Sequence, residues 1–423
     1  MKILVIGASG LIGSELAGRL EWYGHLVHRS VRSEGSLEHP RIDYAQLPSH
    51  AELVGMLRDY DVVVNSVGIF AEKGNQTFDS LHVKGPTAIF RAAMDAGVGL
   101  IVQISALGAD SDSAFGYLAS KGEADERLEA LPIRGLIVRP SLVFSPQGPS
   151  TLLFAKLAAL PVTPLPGGGD QRIQPIHLED LIEAVARIIS SGMEAGLLNA
   201  VGPQALSIKS YLALFKEGAG TKPRFFPMPT PLLRPLLRVA GRLPGSPIAS
   251  EQALGMLEAN SVAEPDRVAS ALGRLPRPPQ TFVVQDARAI RTQVVLSWML
   301  LSMRISLAAM WLATAWVSVF AYPVSASLAM LGKVGLTGFL AVAALYGAAA
   351  LDAVFGLATL FMRRRRTLYV AQAILVILYT VIISLWLPEY WSHPFGPVLK
   401  NVPILAMVFA LIFLDRDHGH RTS

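Results

Sequence analysis

The chain has 423 residues, 52% of them hydrophobic, with a formal net charge of +5 and no cysteine. That length allows two or three domains. The missing cysteines exclude a disulfide framework and a thiolate metal site and fit a reducing compartment. The modest positive charge sits beside apolar runs in the last third, which points to membrane flanks and away from nucleic acid.

Residues 1–13 read MKILVIGASGLIG, a short apolar run and then glycines at 7, 10 and 13, before a helical pattern over 14–21. Such a run bounded by glycine predicts a buried parallel strand. Gly7 suits the tight turn, Gly10 a close approach to pyrophosphate, and Gly13 close packing of helix on strand. The helix N-terminus then offers free N–H groups to phosphate, so Gly7, Ser9, Gly10, Leu11, Ile12 and Gly13 are the expected dinucleotide cradle. The apolar run is too short and glycine-rich for a signal peptide, which places the catalytic part in the cytoplasm.

Residues 25–30 predict a second strand. No acidic residue closes it; Arg29 and Arg32 stand there instead, and guanidinium suits a 2′-phosphate, so NADP is expected, with NAD possible. Residues 42–44 predict a short third strand, with Asp43 or Tyr44 near the adenine. Residues 61–67 predict a fourth, whose end from Asn65 to Gly68 passes the cofactor. A helix over 82–96 and a fifth strand over 99–105 complete an α/β, doubly wound parallel sheet.

Ser105 ends that fifth strand, Tyr117 follows, and Lys121 comes four residues later, on the same helical face. A tyrosine exchanges protons near neutral pH only when its pKa is lowered, and a neighbouring ammonium favours the phenolate. A serine at the strand end is placed to hold a carbonyl or alcohol oxygen. An ordinary helix start with a surface tyrosine and lysine is the plain alternative. No metal site is expected.

GASGLIG, SALGAD, the pair Tyr117 and Lys121, RPSLVF at 139–144 and QPIHLEDL at 174–181 together resemble the extended or atypical short-chain dehydrogenase/reductases. The likeness is greatest to bacterial NAD(P)-binding proteins related to the nucleotide-binding accessory subunit of respiratory complex I, and covers about residues 1–285. It implies a Rossmann sheet with a smaller substrate lobe, hydride transfer by a nicotinamide, and Ser105, Tyr117 and Lys121 as the catalytic set. Ser145 departs from a frequent glycine. The complex I relative binds its nucleotide without established turnover, so the resemblance also admits a binding module.

Residues 161–169 (PVTPLPGGG) read as a loop bordering the pocket, and His177 as a structural histidine. Arg234, Arg238 and Arg242 recur every four residues, as on a solvated helix face or one resting on anionic lipid. Residues 275–289 read as the domain boundary. Beyond it, apolar segments at about 294–322, 335–362, 368–387 and 398–414 approach or exceed the ~20 residues that span a bilayer. This second domain, 286–423, predicts a four-helix transmembrane bundle. Arginines at 288, 291, 363–366, 416 and 421 place both termini in the cytoplasm by the positive-inside bias, in an inner (cytoplasmic) membrane. RISLAAMW at 304–311 and HPFGPVLKN at 393–401 resemble the DoxX-like membrane family. Similar depths from the flanking arginines predict an Arg304–Asp352 ion pair.

The expected function is a membrane-tethered NAD(P)-dependent oxidoreductase acting on a carbonyl or alcohol of an apolar substrate. A non-catalytic NADP(H) sensor, or an assembly module with a membrane-complex partner, is the alternative. Nucleotide-sugar epimerase or dehydratase chemistry is weaker, because no second acid/base pair stands out.

Overall fold

Short runs such as KILVI, VVVN and LIVQI are apolar almost throughout, which suits strands covered on both faces. In the computed structural model, which describes residues 1–32, 36, 38–229, 231, 261–362, 365–394 and 396–415, they form one parallel sheet. The chain divides into two compact units, Met1–Val294 and Val295–Ser423.

In the first unit, β1 (Lys2–Ile6), β2 (Leu26–Arg29), β3 (Val62–Asn65), β4 (Leu100–Ile104) and β5 (Gly135–Pro140) join the strand Gly196–Ala200. The spatial order is Gly196–Ala200, β5, β4, β3, β1, β2, with every neighbour parallel. The build direction reverses between β1 and β3, so their C-terminal ends open the crevice where such folds hold ligands. Helices α1 (Leu11–Trp22) and α6 (Leu178–Ser191) bury Leu16, Leu20, Leu181 and Val185 on one face. Helices α2 (His50–Leu57) and α3 (Gly85–Asp95) bury Leu53, Leu57, Ile89 and Phe90 on the other.

Four expectations need correction here. Residues 42–44 form no strand: Ile42 and Tyr44 turn into the core, and the segment keeps only a bridge between Val31 and Arg41. The helix expected from residue 82 begins earlier, as a π-helical turn over Asp79–Lys84 that runs into α3. The boundary stretch is helical from Pro279, because proline is well suited to a first helical turn. The PVTPLPGGG loop contains a short strand, Thr163–Pro166, paired in parallel with Phe225–Met228.

The substrate-lobe side is built from α5 (Pro149–Ala158), α7 (Ile208–Gly218), α8 (Asp266–Leu272) and the start of α9 (Pro279–Trp316). Phe144, Phe154, Tyr211, Phe215 and Phe282 form its aromatic core. Asp180 is buried at the N-terminal turn of α6 and accepts from Arg274 (2.6 Å) and from the Arg277 backbone N–H (2.8 Å). Arg277 also reaches His177 Nδ1 (2.8 Å), which fixes that histidine as a structural group. The stretch carrying Arg234, Arg238 and Arg242 lies outside the described residues.

Among the described residues, three helices are long and apolar enough to cross a membrane: Pro279–Ala321, which extends α9, then, in the second unit, α11 (Gly338–Phe361) and α12 (Arg366–Trp386). Between them stands the short α10 (Val324–Lys333), and α13 (Asn401–Leu414) is a shorter apolar helix. Leu307, Trp311, Tyr369, Val376, Val408 and Leu411 form their common core. The Arg304–Asp352 pairing is wrong. Arg304 Nε donates to Asp415 Oδ2 at 2.8 Å, and Tyr369 Oη donates to the same oxygen at 2.7 Å. Asp415 caps the end of α13, so the arginine finds its partner from the last helix and not from the next one.

Candidate nicotinamide-binding site

The glycine turn follows β1. Gly7 takes φ +83°, and its carbonyl accepts from the Gly10 N–H at 3.0 Å. A Cβ on Gly13 would lie 2.4 Å from both the Gly7 carbonyl oxygen and Ser66 Oγ. Helix, turn and the end of β3 therefore meet at backbone contact, which only glycine permits. Ser66 Oγ donates to the Ile6 carbonyl at 2.7 Å and ties β3 to β1 at the crevice. Ser9 and Gly10 are exposed, and Leu11 and Ile12 half-buried, at the start of α1, where unpaired N–H groups suit phosphate. This cradle fits a dinucleotide.

The polar residues after β2 divide into two groups. Arg29 is held bidentately by Glu21, one of the two bonds measuring 2.9 Å. Hydrogen bonding to Arg29 draws the Glu21 carboxyl below its ordinary pKa, so this arginine is already answered. Arg32 is exposed, and Arg41 lies beside it with Nε donating to the Arg32 carbonyl at 3.3 Å. Arg41 went unnoticed in the sequence, because only the bridge between Val31 and Arg41 brings it there.

Asn65, Asp43 and Tyr44 have internal partners. Asn65 is fully buried, donates to Gln103 Oε1 at 2.6 Å and accepts from Tyr44 Oη at 2.8 Å. Strand register sets this layer, since Asn65 stands opposite Ile6 on one side and Gln103 on the other. The Asp43 carboxylate accepts from the Ala45 N–H at 3.0 Å. Gly68 is exposed on the loop after β3, and a Cβ there would lie 3.4 Å from Lys121 Nζ.

Tyr117 and Lys121 lie one turn apart on α4 (Gly116–Glu129). Lys121 is buried and its Nζ donates to the carbonyls of Ile104 (3.0 Å) and Val67 (3.2 Å). Burial lowers its pKa to about 8. Tyr117 is buried too, and desolvation pushes its phenol up. Phe70 stacks on its ring at 5.2 Å, with Phe78 and His82 edge-on at 6.2 and 5.6 Å. Ser105 Oγ donates to Asp125 Oδ2 at 2.7 Å, and Arg139 Nε donates to the same oxygen at 2.9 Å. With its proton on Asp125, Ser105 presents lone pairs and acts as an acceptor.

Two groups escaped the sequence reading. Asp125 carries a usable signal, being one further turn along α4 from Lys121. His82 carries none. It sits in the π-helical turn, where Nε2 accepts from the Ile69 N–H (3.0 Å) and Nδ1 therefore donates to Ser120 Oγ (2.9 Å). Burial and the nearby Lys121 lower its pKa to about 2, so it is neutral. It anchors the loop that carries Phe70. Two surface clefts along α1 and α6 are lined by neither Tyr117, Lys121 nor the glycines at 7, 10 and 13.

A parallel sheet with a glycine cradle at its switch point is a dinucleotide-binding Rossmann domain. Residues 3–200 match the NAD dependent epimerase/dehydratase family, and residues 308–409 match the DoxX-like family. The chain thus carries an epimerase-like domain of the short-chain dehydrogenase type followed by a DoxX-like domain. It is 22% identical over 272 residues to the mitochondrial NADH-ubiquinone oxidoreductase 40 kDa subunit of Neurospora crassa, covering 62% of this chain and 72% of that one. An epimerase family protein of Mycobacterium bovis is 27% identical over 262 residues, 56% of this chain and 83% of that one. Among solved structures, a Staphylococcus aureus nucleoside-diphosphate-sugar epimerase aligns with TM-score 0.55 and 19% identity over 67% of this chain and all (100%) of that one. The human epimerase family protein SDR39U1, solved with NADPH, aligns with TM-score 0.53 and 19% identity over 69% and 99%. At these identities the structural likeness establishes the fold.

Proposed function

We propose that this protein is a membrane-bound, NADP-dependent oxidoreductase of the short-chain type, acting on a carbonyl or alcohol carbon of an apolar substrate. The observation that carries this reading is Tyr117 one turn from a buried Lys121 whose Nζ lies beside Gly68, on the loop that leaves the switch point. The glycine cradle holds the pyrophosphate, and Arg32 with Arg41 receives the 2′-phosphate in place of the occupied Arg29. When bound, the nicotinamide supplies or accepts the hydride.

The remaining steps belong to the protein. In reduction, Tyr117 Oη–H gives its proton to the substrate oxygen as the carbonyl carbon gains hydride. The Lys121 ammonium, one turn along α4, is the positive charge available to stabilise the phenolate left behind. Once the alcohol has formed, Ser105 Oγ accepts from its hydroxyl, the direction its bond to Asp125 leaves free. Phe70 and Phe78 give the reacting carbon an apolar wall. Helices long enough to cross a bilayer support a substrate that arrives from it, and the arginines at 288, 291 and 363–366 favour a cytoplasmic catalytic unit.

A second reading, a non-catalytic NADP(H)-binding module of a membrane complex, is favoured by different details. Ser105 and Lys121 already have protein partners, and Phe70 covers the tyrosine ring. The resemblance to a complex I subunit points the same way. Spectral assay of NADPH and NADH oxidation by purified protein against apolar ketones and quinones separates them. Turnover with NADPH supports the enzyme; tight NADPH binding with no turnover across the panel supports the module.

A further inference from the structure

Asp125 offers more than its bond to Ser105. It is fully buried on α4, one turn beyond Lys121, which is 3% exposed. Both of its hydrogen bonds, from Ser105 Oγ (2.7 Å) and Arg139 Nε (2.9 Å), fall on Oδ2, and the buried Oδ1 accepts none. An amide oxygen in that place would accept the same two bonds. What it would not supply is a negative charge.

Lys121 is the neighbour that needs one. Its Nζ donates to the carbonyls of Ile104 and Val67, and to no carboxylate among the described residues. Carbonyls satisfy its donors but leave a buried net charge, and burial favours the neutral amine. The elements around it bring one anion close. In the π-helical turn His82 is neutral, and Asp79 pairs at the surface with Lys84 (2.6 Å). On α4 burial keeps Tyr117 a protonated phenol, Glu123 pairs with Arg127 (2.5 Å), and Glu126 and Glu129 are exposed. Glu72 on the loop after β3 is exposed, as are Arg91 and Asp95 of α3, and β5 brings Arg139, which is bonded to Asp125. That leaves Asp125, at the four-residue helical spacing that sets Cβ atoms about 5–6 Å apart.

We propose that Asp125 is a positioning residue for the Tyr117–Lys121 pair: its carboxylate is the counter-charge that keeps Lys121 an ammonium at neutral pH, while the same side chain holds the Ser105 hydroxyl. The catalytic meaning rests on the oxidoreductase reading above, since a neutral Lys121 could not stabilise a Tyr117 phenolate. The charge on Lys121 itself does not depend on turnover. Burial draws Lys121 down to about 8 with Asp125 opposing, so without the carboxylate it falls further, towards neutral pH.

The test labels the full chain, in detergent micelles, with lysine carrying carbon-13 at Cε. NMR then follows the Lys121 resonance, assigned by its loss in Lys121→Gln, against pH. The wild type should titrate at about 8. Asp125→Asn can keep both hydrogen bonds and removes only the charge. It should lower the midpoint by about one unit, a tenfold loss of proton affinity, at the low end for an opposite charge because Arg139 shares it. Asp125→Glu keeps the charge and should titrate above Asp125→Asn. If the asparagine variant fails to fold for want of a partner for its buried amide N–H, Asp125→Ser removes the same charge without adding that donor. A midpoint unchanged or raised in the folded neutral variant, or equal midpoints for the glutamate and neutral variants, would overturn the proposal. A lowered midpoint with no turnover on any substrate leaves the counter-charge standing and counts against the oxidoreductase reading; turnover with an unmoved midpoint does the reverse.

Discussion

The sheet unit and the membrane unit handle buried charge differently. In the first, Asp180 receives Arg274 and Arg277, Asp125 receives Ser105 and Arg139, and Lys121 donates to two carbonyls. In the second, Arg304 and Asp415 are matched but Asp352 Oδ1 has no hydrogen-bond partner. A buried charge with several partners fixes local geometry, so the first unit uses its charges to hold shape. An unanswered one is costly unless something else binds it.

The largest expected effect breaks the first half of that contrast. Asp180→Ala leaves Arg274 without its carboxylate and Arg277 with Glu179 alone, and should cost about 3 kcal/mol, at the low end for a buried pair because both arginines reach water. Chemical denaturation of the wild type and variant measures it. Burial pushes the Asp180 carboxyl up, but the bonds from Arg277 and Arg274 outweigh it and hold the group below its ordinary value. Its contribution is therefore full above the ordinary 3.8 and is lost as pH falls through the lowered value, so the two proteins should converge in stability in strong acid.

Tyr117→Phe keeps the stack with Phe70 and removes only the proton-carrying hydroxyl. Turnover should fall about 10²-fold or more while NADPH affinity barely changes, as read by steady-state kinetics and cofactor titration. Gly13→Ala should destabilise the first unit by about 1–3 kcal/mol and weaken both cofactors alike, because its Cβ meets the Gly7 carbonyl and Ser66. Thermal melts with and without cofactor would register both effects. The smallest effect sharpens the arginine assignment: Arg32→Ala should weaken NADPH about tenfold and leave NADH unchanged. Arg29→Ala should discriminate less, since Glu21 already holds that side chain. Calorimetric titration of the two cofactors distinguishes these outcomes.

Much of the site was legible because it rests on short-range rules. The glycines at 7, 10 and 13 fix a turn, and the four-residue spacing of Tyr117 and Lys121 fixes a shared face. Asp125 obeys the same spacing and was overlooked. What escaped depends on long-range register or irregular backbone. Asn65 meets Gln103 through strand pairing, and His82 sits in a π-helical turn with no marker in its residues. Depth arithmetic failed for Arg304 because equal depth does not fix azimuth. Its partner Asp415 lies 111 residues away, just past the last helix. Tyr44, expected near adenine, instead closes a buried bond to Asn65.

Whether hydride reaches a substrate carbon is the claim on which the functional account rests. The full chain in nanodiscs, given NADPH deuterated at the nicotinamide C4 and an apolar ketone panel, should place deuterium on the carbinol carbon of one product. Tyr117→Phe should abolish that transfer while still binding NADPH. NADPH bound tightly by the wild type, with no deuterium in any product and no difference from Tyr117→Phe, would contradict it.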